Sequence, residues 1–290
     1  MGYYERMVAN VENRTAISEQ SVAALSVIVI AKNDAFNLAR CLAAVSFADE
    51  IIVVENASVD ETVNVAIAHG ARVVSTPDWP GFGLQKNRAL ALATGRWVLS
   101  LDADEVVTSA LASQIKQIVD PAAVQSDKSA ANAQSCAAFS GYEIPRLTQF
   151  RGQWIRHCGW TPDRVFRLFL RDSARFTNDL VHEKLQTHSG FSKIGRLNTP
   201  LLHYSYAEPK QYWAKLQRYS QDWANQRHAS GQTTSMGRAA LSGLAAFIRS
   251  YVFRLGFLDG AMGFAVCAMQ AQAAFGKYFE LYCLSNPHEK

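Results

Sequence analysis

The chain has 290 residues, 49% of them hydrophobic and 19% charged, which supplies a sizeable core and excludes a disordered or fibrous protein. Its net charge of +4 is uneven: −5 over residues 1–140, +5 over 141–206 and +4 over 207–290, a split suited to a metal site facing an anionic substrate or membrane surface. The five cysteines (Cys41, Cys136, Cys158, Cys267, Cys283) make no CxxC pair and no metal-ligand spacing, against a disulfide framework or zinc site and for a reducing compartment.

Residues 1–24 mix acids, Asn and Gln before any apolar run and read as a flexible extension without the layout of a signal peptide, so a cytoplasmic protein is expected. Leu25–Ala31 is a β-branched run and hence a buried strand. A helix is expected from Asp34 to Val45, a strand over Glu50–Glu55 and a helix over Val59–His69 capped by Ser58 or Asp60. A third strand follows at Ala71–Ser75, then a helix over Gly83–Thr94 and a fourth strand at Trp97–Leu101. This alternation predicts an α/β protein with a doubly wound, mostly parallel sheet whose ligand crevice lies at the strands' carboxyl ends. Asn33, Asp34, Glu55, Asn56, Asp102 and Asp104 all fall at those ends.

Residues 121–138 are small and polar and read as a flexible loop. Strands are expected at Tyr142–Leu147 and Arg164–Leu170, the second with Arg167 on one face, and a helix at Pro209–Ala229. From Met236 to Leu284 the chain is strongly apolar and rich in Ala and Gly. Its 17 uncharged residues from Gly260 to Gly276 sit at the lower limit for a membrane span. A pair of C-terminal helices is expected instead, with Arg238, Arg249 and Arg254 flanking Phe247, Tyr251, Phe253 and Phe257. Such helices either rest on the anionic inner face of the cytoplasmic membrane, each basic residue adding about 1 kcal/mol, or pack on the rest of the protein.

The chemistry concentrates in Trp97-Val-Leu-Ser-Leu-Asp102-Ala-Asp104-Glu105, an apolar strand ending in three acids within four positions. Carboxylates that close repel, and a hard divalent cation such as Mg²⁺ or Mn²⁺ relieves them, usually in company with a phosphate. A strand-ending turn with solvated acids is the plainer alternative. A dinucleotide-binding dehydrogenase, for which Glu55 at the end of the second strand would suit the ribose, is disfavoured by the turn Ala31-Lys-Asn-Asp34, which has no G-x-G-x-x-G. A nucleotidyltransferase would need a Gly/Arg-rich triphosphate loop near the first strand, and no aromatic stacking platform supports nucleic-acid binding.

Three stretches, Val27-Ile-Val-Ile-Ala-Lys-Asn-Asp34, Ile51-Ile-Val-Val-Glu-Asn-Ala-Ser-Val-Asp-Glu-Thr62 and Leu99-Ser-Leu-Asp-Ala-Asp-Glu105, resemble the family 2 inverting glycosyltransferases, which have a GT-A type nucleotide-sugar-binding fold. Asp78–Arg88, Trp154–Asp163, Val181-His-Glu183 and Phe257-Leu-Asp-Gly260 resemble the branch that glucosylates the bacterial lipopolysaccharide inner core. The resemblance spans residues 25–283. It implies a glycosyltransferase domain over 25–206 with a helical region at 207–290, a UDP-glucose donor, a lipid-linked glycan acceptor and Mg²⁺ or Mn²⁺. It further implies that Asp104 coordinates the metal on the donor diphosphate, with Asp102 near the ribose or metal, and that Lys32, Asn33, Glu55 and Asn56 line the base pocket. Glu55 stands where the family usually has Asp, which leaves open a degenerate nucleotide-sugar-binding protein.

Gln85 and Arg88, one helical turn apart, could reach the donor phosphates. Arg167 needs an anion, either a phosphate or a carboxylate such as Asp163 or Asp179. An inverting transfer needs one general base. Glu183 is the first candidate, beside His182 as a possible third metal ligand, and Asp163 the second. Glu105 is expected to be a helix-proximal surface acid, with support of the metal ligands from behind as the alternative; His157 and Trp160 would shape the acceptor pocket, with a core position the alternative for Trp160.

Overall fold

A computed structural model describes residues 23–120, 139–178, 184–188, 193–206 and 209–286. The predicted loop at 121–138 and all but the end of the predicted extension lie outside them. Leu25–Ala31 (β1) is buried at every residue. It pairs in parallel with Glu50–Glu55 (β2) on one side and Trp97–Asp102 (β4) on the other, and Arg72–Ser75 (β3) extends the sheet beyond β2.

Alternation along β1 divides the core in two. Val27 and Val29 cluster with Leu38 and Leu42 of Ala35–Ala43 (α1) and with Leu111 and Ile115 of Ser109–Val119 (α4). Ile28 and Ile30 cluster instead with Ala89 and Leu90 of Phe82–Leu92 (α3) and with Phe169. With Thr62–Ala68 (α2) between β2 and β3, this is the expected doubly wound arrangement. Strands β1, β2 and β4 are buried on both faces, which is why they read as largely apolar runs, whereas β3 at the edge is not.

The second half of the sheet is mixed. Asp163–Leu170 (β8) pairs antiparallel with β4 and with Gly141–Phe150 (β6), and Leu201–Tyr206 (β12) runs parallel to β6. The two-residue strand Glu105–Val106 (β5) closes antiparallel onto β12, giving the order β3-β2-β1-β4-β8-β6-β12-β5. Gln153–Ile155 (β7) and Ile194–Arg196 (β11) also pair with β6, and Ala174–Phe176 (β9) pairs with Leu185–Thr187 (β10) separately. The turn after β4 therefore comes back across the strands that carry Arg146, Asp163, Arg167 and His203.

Three helices follow: Pro209–Ala229 (α5), Met236–Ile248 (α6) and Gly260–Ser285 (α7). Val266, Cys267 and Met269 of α7 form one cluster with Phe150, Ile155 and Cys158, and Trp223 and Tyr278 join α5 to α7 with ring centroids 5.0 Å apart. A π-turn at Arg249–Phe253, a left-handed Leu255 (φ 54°) and a 3-10 turn at Gly256–Asp259 bend the α6 and α7 segments by 73°. Among the described residues no single helix is long and apolar enough to cross a membrane. The elbow closes tightly, for a Cβ on Gly263 would stand 2.0 Å from the Gly256 carbonyl oxygen.

Gly263→Ala is therefore expected to lower the unfolding free energy by about 1–3 kcal/mol through overpacking, read as a shifted urea midpoint. At Gly237, where an added Cβ would meet only Ser235 Oγ at 4.0 Å, the same change should leave the midpoint level or slightly raised.

Candidate active site

The apolar run of β4 delivers Asp102 to the sheet's carboxyl edge, and the turn through Ala103 and Asp104 leads straight into β5. Glu105 points inward. It is fully buried, contrary to the expected surface acid; Oε2 accepts the Asp102 N–H at 3.0 Å and Oε1 accepts from Arg167 at 2.7 Å and Arg146 at 3.4 Å. A buried carboxylate needs such partners, and β6 and β8 supply them.

Asp102 pairs with Lys86 Nζ at 2.9 Å through one oxygen and with Arg167 through the other. Burial pushes its carboxyl up, but Arg167 and Lys86 outweigh this and hold it well below the usual carboxylate range. Burial likewise works against the Arg167 charge, yet Asp102 and Glu105 raise its affinity for the proton above the ordinary guanidinium value. The anions of this chain that Arg167 meets are thus Asp102 and Glu105, not Asp163. Asp179, the other rival, lies outside the described residues.

Asp104 differs from both neighbours. It lines the cleft, and its Oδ2 lies 3.4 Å from Nε2 of His203, a β12 residue the sequence reading did not single out. The other ring nitrogen, Nδ1, is 3.1 Å from Thr148 Oγ1, a hydroxyl able to donate or accept, so Nε2 can present either a proton or a lone pair. Asp34 lines the same cleft; burial raises its carboxyl affinity for protons, the Asn37 amide opposes this, and Asp104 and Asp60 add to it.

The cleft, about 670 Å³, runs from Lys32 and Asp34 past Asp102 and Asp104 to a wall made by Asp163, Trp160 and Tyr212. Arg146 binds one oxygen of Asp163 through both Nε, at 2.9 Å, and Nη2, leaving Oδ1 outside that fork. A second cleft of about 680 Å³ shares Lys32, Asp34 and Asp104 and adds Asn33, Arg40 and Tyr204.

Other expected donor contacts bond to neighbouring groups of the chain. Glu55 is buried and accepts the Ser58 N–H at 2.7 Å; burial pushes its carboxyl up, but hydrogen bonds from Ser75 and Ser58 prevail and lower it. Asn56 accepts from Lys32 Nζ at 3.0 Å and donates to the carbonyls of Thr76 and Asp78. Asn33, left-handed at φ 50°, accepts the Val59 N–H. Gln85 is buried on Thr76, and Arg88 forks onto Asp78 at 3.0 and 2.6 Å, so this helical face meets the loop after β3 instead of an open phosphate site. Asp60 caps two helices, accepting from Ala35 and Thr62. His157 is held by Asp259, whereas Trp160 does line the cleft. His182 and Glu183 lie outside the described residues.

Arg167→Leu is expected to cost about 3–5 kcal/mol by stranding Asp102 and Glu105, against less than about 1 kcal/mol for Arg88→Ala at an exposed pair, both read by chemical denaturation. Because the Asp102 carboxyl is depressed in the fold, its contribution is present above about pH 4 and lost as pH falls further. The stability gap between wild type and Asp102→Asn should accordingly be full at pH 7 and narrow below pH 4.

A Glycosyl transferase family 2 model matches residues 26–167. An uncharacterized glycosyltransferase of Rickettsia typhi is 30% identical over 268 residues, covering 90% of this chain and 87% of the relative. The lipopolysaccharide core biosynthesis glycosyltransferase LpsC of Rhizobium meliloti is 25% identical over 271 residues, covering 89% and 92%. Among solved structures, a mannosyltransferase of Pyrobaculum calidifontis in complex with GDP-Man and Mn²⁺ aligns over 88% of this chain and 75% of its own at 14% identity and a TM-score of 0.45. The doubly wound sheet, the acids at the end of β4 and these relatives, matched over most of their length, place the chain in glycosyltransferase family 2, as a transferase.

Proposed function

We propose that the protein is an inverting glycosyltransferase that moves a hexose, glucose from UDP-glucose, onto a lipopolysaccharide core or related lipid-linked bacterial glycan. The observation that carries this is the sorting of charge around the cleft. Asp102 and Glu105 are neutralised by Lys86, Arg146 and Arg167, while Asp104 and Asp34 present negative charge to the cleft. LpsC, named for lipopolysaccharide core biosynthesis and matched over most of both chains, supports the acceptor class.

The residues present fit a divalent ion. Among the described residues no three His, Cys, Asp or Glu side chains converge on one point. Mg²⁺ and Mn²⁺ do not require that: one or two protein ligands, water and substrate phosphates complete a hard-metal site. Asp104 and His203 would hold the ion, their facing atoms 3.4 Å apart, near the spacing of adjacent ligands. When bound, it would neutralise the leaving diphosphate.

The chain's own groups do the rest. Lys32 and Asn33 stand at the carboxyl end of β1 to receive the nucleotide, with Glu55 and Asn56 holding that rim in shape. Asp163, opposite Asp104 in the same cleft, is the base. Arg146 fixes one of its oxygens and the other can take the proton from the acceptor hydroxyl as the sugar carbon inverts. Trp160 and Tyr212 supply an apolar wall for the acceptor sugar.

Transfer from a panel of nucleotide sugars, with Mn²⁺ or EDTA, tests the reading. UDP-glucose with Mn²⁺ is the expected best pair. Asp104→Asn should abolish turnover, His203→Gln should raise the Mn²⁺ needed for half-maximal rate, and Asp163→Asn should lower kcat about 10²–10⁴-fold with donor KM little changed. Full activity in Asp163→Asn with loss in Glu183→Gln would move the base to Glu183; turnover in EDTA with Asp104 replaced would refute the metal role.

A further inference from the structure

Helix α6 is apolar on two sides. Ala239 and Gly243 form its buried side, where a Cβ on Gly243 would lie 3.1 Å from Phe275 of α7. The other side repeats Leu241, Leu244 and Ile248 at helical spacing, Val252 continues it in the π-turn, and all four are exposed. A helix that packs on a core normally turns polar side chains outward; this one does not. The elbow after it adds Phe253 (75% exposed), Phe257 and Leu258, and Phe264 follows at the start of α7. Isolated apolar side chains on a surface are ordinary, whereas a run across two helices marks an interaction surface.

The charges on this surface have one sign. No acid occurs between Asp222 and Asp259, a stretch that contains Arg227, Arg238, Arg249 and Arg254. Arg249 and Arg254 are exposed at the elbow. Asp259 does not offset them outwardly: it is buried and accepts the N–H groups of Arg156 and His157 at 3.1 and 2.8 Å. Those bonds tie the elbow to the segment whose next residues, Gly159 and Trp160, line the cleft.

We propose that the α6–α7 elbow is an interfacial membrane platform. Its apolar side settles at the acyl boundary of an anionic bilayer, Arg249 and Arg254 meet lipid phosphates, and the Asp259 link sets the Trp160 wall beside the bilayer surface. Charge selects the occupant. In a twofold pair the same cationic patch would face itself, whereas anionic headgroups complement it. The proposal rests on the glycosyltransferase reading only for what arrives there, an acceptor carried by a lipid.

Flotation of the purified full chain with phosphatidylcholine vesicles, with and without a quarter phosphatidylglycerol, tests it, and UDP binding with Mn²⁺ is measured in parallel. Wild type should float with the anionic vesicles and less with the neutral ones. L241S/L244S/F253S should stay at the bottom yet bind UDP as wild type does, and R249Q/R254Q should lose on the order of thirtyfold in partitioning. Wild type that fails to float, or a triple variant that floats equally, overturns the proposal. So does a wild-type dimer that the triple variant dissociates while neither protein binds vesicles. Should the triple variant fail to fold by circular dichroism, the arginine variant decides alone. Flotation without UDP binding would count against the transferase reading and leave the platform standing.

Discussion

Two arginines reach from the antiparallel half of the sheet to the acids that end β4, and the site depends on that buried contact. Arg167 lies between Asp102 and Glu105, and Arg146 between Glu105 and Asp163. Buried ion pairs of this kind add little net stability compared with a well-packed apolar core. Their effect here is positional. They fix the turn after β4, neutralise two of its three acids, and leave Asp104 facing the cleft beside His203.

The same contact joins two halves with different tasks. The parallel strands β1, β2 and β4 end at one rim, the usual place for a ligand in a doubly wound sheet. The rim is stiff because its polar side chains bind one another: Lys32 to Asn56, Asn56 to the loop after β3, Glu55 to Ser58, Arg88 to Asp78. Strands β6, β8 and β12 bring Asp163 and His203 to the opposite wall. The C-terminal helices buttress that wall through the cluster of Phe150, Ile155 and Cys158 with Val266 and Cys267. In the proposed function a charged ligand would lie on one side of this cleft and a hydroxyl-bearing one on the other, as glycosyl transfer requires.

Much of this was legible in the residues themselves. Strands β1 to β4 and the helices between them follow from β-branched runs alternating with helical spacing, and Asp102 and Asp104 stood out because polar residues are costly at the end of a buried strand. Pairing partners were not legible. Glu105 looked like a surface acid because Arg146 and Arg167, which make its burial tolerable, lie 41 and 62 residues further on. Gln85 and Arg88 have the spacing of a phosphate grip, but only the path of the loop after β3 reveals that Thr76 and Asp78 occupy them. His203 sits in a short apolar run and gains meaning only when β5 pairs antiparallel with β12 beside Asp104. Lys86 was in view within the Gln85–Arg88 segment, yet nothing local marks a buried lysine aimed at Asp102.

In the proposed site Asp104, with His203 beside it and not the neutralised Asp102 and Glu105, is the protein's half of a divalent-ion and diphosphate site. Calorimetric titration of UDP into the protein, with Mn²⁺ and then with EDTA, measures this without any acceptor or turnover. Tight binding only with the ion is expected, with its loss in Asp104→Asn and its retention in Asp163→Asn. Equal UDP affinity in EDTA, or an Asp104→Asn protein that binds as wild type does, would contradict it.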